Sequence, residues 1–258
     1  MSRRFLALDL ETTSKIPSEA RVTEIGAALW DVDRRQVLQT ISITVELPIK
    51  VEYSAEVQRL TGITAADVEE FGEPLPDALL RVARVCAAHG VERLVGHNGR
   101  RYDAEVLRCE VARFSVVPPE VRALLALLWV DTLEDIAYPE EMTCRKLPHL
   151  AADHGFLNPF PHKALPDAWT ALKILECYDL AEVLRRADSP AVVLHSRHAF
   201  EDNDKAKSLG FKWKPELGKR WLRATKELDL EVLREKAAAL PELKIQRVND
   251  VTPEAVMA

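Results

Sequence analysis

The sequence predicts an α/β domain on a mixed sheet, followed by a smaller α+β unit. Three strand candidates come first, separated only by short polar stretches, as in an antiparallel meander. Helical and strand patterns then alternate, which places further strands beside the first three and helices on the faces. The pattern breaks at "RRADSP" around Pro190, beyond which short strands and helices follow. The boundaries read from this are 1–187 for the larger domain, 190–250 for the smaller one and 251–258 for a polar tail.

The opening strands are Phe5–Leu10, Val22–Trp30 and Val37–Val45. "SAEVQRLTGIT" starts a helical region with Ser54 as its cap, and "PLPDALLRVARVCAAHG" runs from prolines to a terminal glycine. "ERLVGHNG" reads as a short strand ending in a turn. "YDAEVLRCEVARF" is a helix with Asp103, Val106, Leu107, Val111 and Phe114 on one stripe. "LLWVDTL" is a fifth strand, and "RKLPHLAADHGF" and "PDAWTALKILECYDLAEVLRRA" are helices. In the smaller unit, "AVVLHSRHAF" is a strand, "DNDKAKSLG" a helix, "FKWKPELGKRWLRAT" a hairpin, "DLEVLREKAAAL" a helix and "LKIQRV" a strand.

The 258 residues, 47% of them hydrophobic, suffice for a sizeable core, and a net charge of −6 does not advertise a nucleic-acid binder. The start of the chain lacks the apolar stretch and cleavage site of a secretory signal, and no run approaches the roughly 20 apolar residues of a membrane span. Cys86, Cys109, Cys144 and Cys177 are far apart and unpaired in pattern. Reduced thiols in a cytoplasmic protein without membrane association are the expectation.

The chemistry lies in "LALDLETTS", where a strand with a buried character carries two acids. Alternation puts Phe5, Ala7, Asp9 and Glu11 on one face and Leu6, Leu8 and Leu10 on the other. Adjacent like charges at a strand end repel and cost desolvation, so something must compensate. "GHNGRRYDAEVL" and "HKALPDAWTALKIL" each put an acid, Asp103 and Asp167, at a helix start on the stripe that faces the sheet. Four acids converging on one spot form a site for two divalent cations, Mg²⁺ or Mn²⁺. Such a pair clamps the attacking and leaving oxygens of a phosphodiester displacement. His162, five residues before Asp167, is placed to deprotonate the attacking water.

These stretches resemble the motifs of the DnaQ-like DEDDh 3′–5′ exonucleases, within the RNase H-like and RNase T superfamily. Asp9-Leu-Glu11-Thr-Thr resembles the first motif, "GHNGRRYD" the second and "HKALPD" the third. The step from Asn98 to Asp103 is similar to that of the three-prime repair exonuclease branch. The resemblance covers roughly residues 3 to 185 and includes "VDTLEDIA" and "RKLPHLAADHGF". It implies an RNase H-like fold with a central five-stranded sheet and release of nucleoside 5′-monophosphates from 3′ ends of single-stranded DNA. Asp9, Glu11 and Asp167 would hold one metal, Asp9 also the second, Asp103 would support the second through water, and His162 would be the general base. Thr12 and Thr13 would bring backbone amides to the terminal nucleotide, with His97 and Asn98 beside the site at the strand end.

The bland alternatives are a solvated strand end for Asp9 and Glu11, dipole-favoured helix starts for Asp103 and Asp167, and a plain turn at Asn98 and Gly99. His149 and His154 lie near His162 but lack the family spacing. His195 and His198 are set aside as a metal pair. Rival functions are an exoribonuclease with the same site, an inactive exonuclease-like binding module, a glycosidase and a proofreading subunit. The presence of all five residues argues against the module, and a glycosidase explains neither the histidine nor four acids.

From Lys205 to Lys226 there are eight basic residues against one acid, Glu216, interleaved with Phe211, Trp213 and Trp221. The pattern bears a weak resemblance, over about thirty residues, to a small module appended to DNA-processing proteins. Lys212, Trp213, Lys214, Arg220 and Trp221 are the candidate nucleic-acid contacts there, with a small-domain core and solvated lysines as the alternative.

Overall fold

The computed structural model describes residues 2–48 and 51–257. The chain divides into two compact units, Met1–Ala187 and Asp188–Ala258.

In the first unit, β1 (Arg4–Thr12), β2 (Val22–Asp31) and β3 (Gln36–Thr44) form the antiparallel meander. There follow α1 (Ala55–Thr61), α2 (Ala65–Phe71), α3 (Leu75–His89), β4 (Arg93–Gly96), α4 (Asp103–Val111), α5 (Pro119–Leu125) and β5 (Leu128–Asp131). The unit closes with α6 (Leu147–Asp153), α7 (Ala164–Leu175) and α8 (Leu180–Asp188). β4 runs parallel to β1 and β5 parallel to β4, giving a mixed five-stranded sheet in the order β3-β2-β1-β4-β5.

The alternation of β1 divides the core into two layers. Leu6, Leu8 and Leu10 pack with Leu79 and Val82 of α3, Leu107 of α4 and Leu124 of α5. Phe5 and Ala7 face the other way, onto Ala168, Leu172 and Leu175 of α7. With both faces covered, β2 is buried along its whole length and reads as an almost continuous apolar run.

Three details differ from the expectation. α2 is a helix of its own, closed by a reciprocal capping box between Thr64 and Asp67. α5 starts at a Pro-Pro pair, where the ring fixes the first helical φ. The single helix read over "PDAWTALKILECYDLAEVLRRA" breaks between Leu175 and Leu180, where Asp179 Oδ1 accepts the Ala181 amide at 2.9 Å and starts a new turn.

The second unit contains β6 (Ala191–Arg197), α9 (Asn203–Ser208), β7 (Lys212–Lys214), β8 (Arg220–Lys226), α10 (Leu230–Ala238), β9 (Lys244–Val248) and α11 (Pro253–Met257). Its strands are antiparallel in the order β7-β8-β6-β9. One face carries Leu194, Phe211, Leu233 and Leu243 in a core under α9 and α10. The polar tail expected at 251–258 is corrected here. α11 is a helix, and Val256, 3% exposed, packs on Val193 and Leu222 of the other face. That face is apolar at Val193, Leu222 and Ala224 and needs a cover. Among the described residues, no helix is long and apolar enough to cross a membrane.

Candidate active site

The acids meet because a strand end is open on one side. β4 stops at Gly96, one residue beyond the Ala7–Val95 pair. Past that point the Leu10 amide donates to Asp103 Oδ1 at 2.9 Å. Asp103 starts α4, in the layer under Leu6, Leu8 and Leu10, and is 4% exposed. Asp167 lies in the first turn of α7, in the opposite layer. Asp9 and Glu11 project from β1 toward that second layer. The two helices thus bring one acid each to the same strand end from opposite faces of the sheet.

The helix α7 reaches this position through Gly26. In β2 it stands directly opposite Asp9, and a Cβ there would lie 2.1 Å from the carbonyl carbon of Ala164 and the amide nitrogen of Leu165. Only glycine admits the helix start so close to the sheet. Glu24, opposite Glu11 in the same strand pair, accepts the Ala164 amide on Oε2 at 3.0 Å and faces the Ser42 hydroxyl at 3.4 Å. It is a fifth acid at the site. Asn158 donates through Nδ2 to Asp167 Oδ1, and the His162 amide donates to Oδ2 at 3.1 Å. His162 is exposed, with φ at +62°, and its ring reaches the acids. Glu11, His162 and Asp167 each present a ligand atom within 4.8 Å of the others.

Crowding sets the electrostatics. Burial raises the Asp9 pKa well above the carboxylate range, and Asp103, Glu11, Asp167 and Glu24 push it further. Glu11 rises to about 8 through burial, then Asp167, Glu24 and Asp103, with Lys163 opposing. Burial lifts Asp103 to about 8 against the hydrogen bonds that favour its charged form. Asp167 is raised by burial, partly offset by the amide and charge of His162 and by Asn158. Buried carboxylates that resist ionisation side by side, with Asp9, Glu11 and Asp167 facing one groove, fit a divalent cation. The groove, about 990 Å³, is lined by Asp9, Glu11, His162 and Asp167 on one side and by the 143–149 segment on the other.

The turn before α4 is held by a second charged cluster. Asp131, at the end of β5, accepts the Asn98 amide at 2.9 Å, the Arg100 amide at 3.0 Å and the Leu133 amide at 3.0 Å. The Arg100 guanidinium binds Asp135 at 2.7 Å, Glu134 at 2.9 Å and the Trp129 carbonyl at 2.9 Å. Gly99 lies against the Trp129 ring, where a Cβ would come within 2.4 Å.

Several expected substrate contacts are occupied within the protein. The Thr13 amide donates to the Arg21 carbonyl at 2.9 Å, and its hydroxyl accepts the Arg21 amide at 3.1 Å. The Thr12 hydroxyl is bound to Ser14 and to the Tyr102 hydroxyl. Neither threonine lines the groove. His97 does, but its Nε2 donates to the Arg145 carbonyl at 2.8 Å and its Nδ1 faces the Thr132 hydroxyl at 3.0 Å. Burial pushes its pKa down to about 4, so the ring is neutral and serves as a strut for the groove wall. Asn98 sits in a left-handed turn at φ +64° and lines the groove. In the second unit, strand alternation separates the candidate contacts. Lys212, Lys214 and Arg220 lie on the α11 face, whereas Trp213 and Trp221 lie on the other.

Glu24, Gly26, Asn158 and Asp131 escaped the sequence reading. A signal existed for two of them: an acid and a glycine two residues apart, in an otherwise apolar strand "VTEIGAALW".

Comparison with known proteins bears on this arrangement. A family profile described as Exonuclease (RNase_T) matches residues 6–175. No curated protein sequence matches the chain. Among solved structures, exonuclease I aligns with a TM-score of 0.60 at 20% identity, over 71% of this chain and 43% of that protein. The chain thus spans less than half the length of that relative. The nuclease domain of 3′hExo, a DEDDh family member bound to rAMP, aligns at 0.55 and 20% identity, over 67% of this chain and 90% of that domain. The zinc-bound complex of E. coli exonuclease I with single-stranded DNA aligns at 0.66 and 16% identity, over 94% of this chain and 68% of that protein. At these identities the structures establish a shared fold, the RNase H-like exonuclease fold. The profile spans well over half of the chain, and the chain therefore belongs to the exonuclease (RNase_T) family.

Proposed function

We propose that the first unit is a metal-dependent 3′–5′ exonuclease that releases nucleoside 5′-monophosphates, acting best on single-stranded DNA ends. The observation that carries this is the meeting of Asp9 and Glu11 with Asp103 and Asp167 from opposite helix layers, with His162 beside them. The four acids would hold two divalent cations, Mg²⁺ or Mn²⁺, which when bound would supply charge neutralisation and activation of the nucleophile. His162, exposed at the groove, takes the proton of the attacking water. The water oxygen bonds to phosphorus as the bond to the upstream 3′-oxygen breaks, and that oxygen takes a proton from solvent, leaving a 5′-monophosphate and a shortened strand with a 3′-hydroxyl. Asn158 and the His162 amide orient the Asp167 carboxylate, and Glu24 holds the start of the helix that carries it.

The DNA and RNA complexes of the structural neighbours, which include a dT13 oligonucleotide and a histone mRNA stem-loop, support nucleic acid as the substrate class. The test uses 5′-labelled DNA and RNA strands with Mg²⁺, Mn²⁺ or EDTA, resolved as ladders. Shortening from the 3′ end with a divalent cation, faster on DNA, is expected. Asp9→Asn and Asp167→Asn should abolish it while the protein stays folded. Undiminished cleavage in excess EDTA, or in Asp9→Asn, would overturn the mechanism.

A further inference from the structure

The sheet of the second unit carries cations in register, and that register is costly for folding. Lys214 pairs directly with Arg220 between β7 and β8, and Arg197 directly with Lys244 between β6 and β9. All four project to one face. One step along the strands, the same face carries Lys212, Leu222, His195 and Gln246. Like charges directly opposite on neighbouring strands destabilise a sheet. Two such pairs abreast, on strands about 4.8 Å apart, form a line of positive charge roughly 14 Å long.

Acids only partly neutralise this line. Asp250 binds Arg220 at 2.8 Å and Glu216 lies 3.8 Å from Lys214. Arg197, Lys212 and Lys244 are exposed and make no ion pair among the described residues. His195 registers the resulting field: burial lowers its pKa, and the charges of Arg197 and Arg220 lower it further. α11 packs on the same face at Val193 and Leu222, while Arg197, Lys212 and Lys244 stay exposed and the Lys214 and Arg220 side chains are 14% and 21% exposed.

We propose that this charged end of the sheet binds the phosphate backbone of single-stranded nucleic acid. Only the choice of nucleic acid over another polyanion rests on the exonuclease reading. A phosphate chain laid along the row relieves the two repulsive pairs, which gives the charge arrangement its use. The surface reads the backbone and not the bases. Trp213 and Trp221, whose ring centroids are 6.0 Å apart, are on the far face, where Trp221 also packs against His198. DNA and RNA strands should therefore bind it equally.

The full chain is measured in EDTA, so that no strand is cut, by fluorescence anisotropy of labelled oligo(dT) and oligo(rU) over a salt series. Arg197→Gln, Lys212→Gln and Lys244→Gln are combined, all at exposed positions, and thermal unfolding confirms that the variant is folded. Loss of three backbone contacts should make the log–log salt slope shallower by about 2 and weaken low-salt binding about tenfold or more, for both polymers alike. Unchanged affinity and slope would overturn the proposal. So would a result in which the triple variant loses binding of poly-glutamate but not of either oligonucleotide, which would assign the row to an acidic protein partner. Failure of the exonuclease reading is seen separately, as the absence of a ladder when the wild-type chain is given Mn²⁺, and leaves the binding comparison readable.

Discussion

His162 holds a backbone conformation that residues other than glycine seldom adopt, with φ at +62°, and its own amide is anchored to the acid it accompanies. Replacing it with alanine should slow the chemical step by on the order of 10²–10⁴-fold and leave oligonucleotide affinity nearly intact. Added imidazole should restore part of the rate. A comparable loss in His149→Ala, with His162→Ala unaffected, would show that the base had been wrongly assigned. Glu24 tests the crowding. Glu24→Gln retains one acceptor while removing a charge opposite Glu11. The metal-free variant should melt at a higher temperature and need more divalent cation for half-maximal rate. The acids also fix a pH dependence. Glu11 rises from 4.5 to about 8 and Asp103 from 3.8 to about 8 in the folded chain. The folded state therefore keeps protons that the unfolded chain has released. Their contribution to stability is complete below the unfolded pKa values and is lost as pH rises toward 8. Melting in EDTA should fall over that window, and saturating Mn²⁺ should reverse the fall.

At the level of elements, the approach of α7 to β2 is the dimension that the site depends on. Gly26→Ala places a methyl group where the Ala164–Leu165 peptide now lies, so the helix must shift. Overpacking of this kind costs about 1–3 kcal/mol or more, and the displaced Asp167 should cost activity beyond that loss of stability. Circular dichroism melts and initial rates on one preparation would separate the two. The strands and acids of β1 were legible because period-two alternation is a local property, visible in nine residues. Asp103 and Asp167 were legible because helix starts and apolar stripes are local as well. Glu24 was not, because its place opposite Glu11 depends on a register that slips by one residue at Glu11–Thr12. The bond from the Thr13 amide to Arg21 was not legible for a related reason: only the closed hairpin supplies that partner. The cluster of Arg100, Asp131 and Asp135 joins a turn to a strand end some thirty residues away, and no periodicity announces it.

Across the whole molecule, each unit has cores of its own, with Leu6, Leu79, Leu107 and Ala168 in the first and Leu194, Phe211 and Leu222 in the second. A chain ending at Ala187 should accordingly fold, retain metal-dependent cleavage and bind single strands more weakly, with a shallower salt dependence. Matching affinity at every salt concentration would assign the second unit another role. α11 was missed in the sequence because five residues carry no periodicity, and only the bare apolar face of the sheet explains why they fold back onto it. The open strand end beyond Gly96 has a further consequence. Acids from α4 and α7, on opposite sides of the sheet, converge there, so a cation bound among them would act as a rivet through all three layers. Amide hydrogen exchange at the first turns of both helices should then slow together on addition of Mn²⁺, although the two helices belong to separate cores.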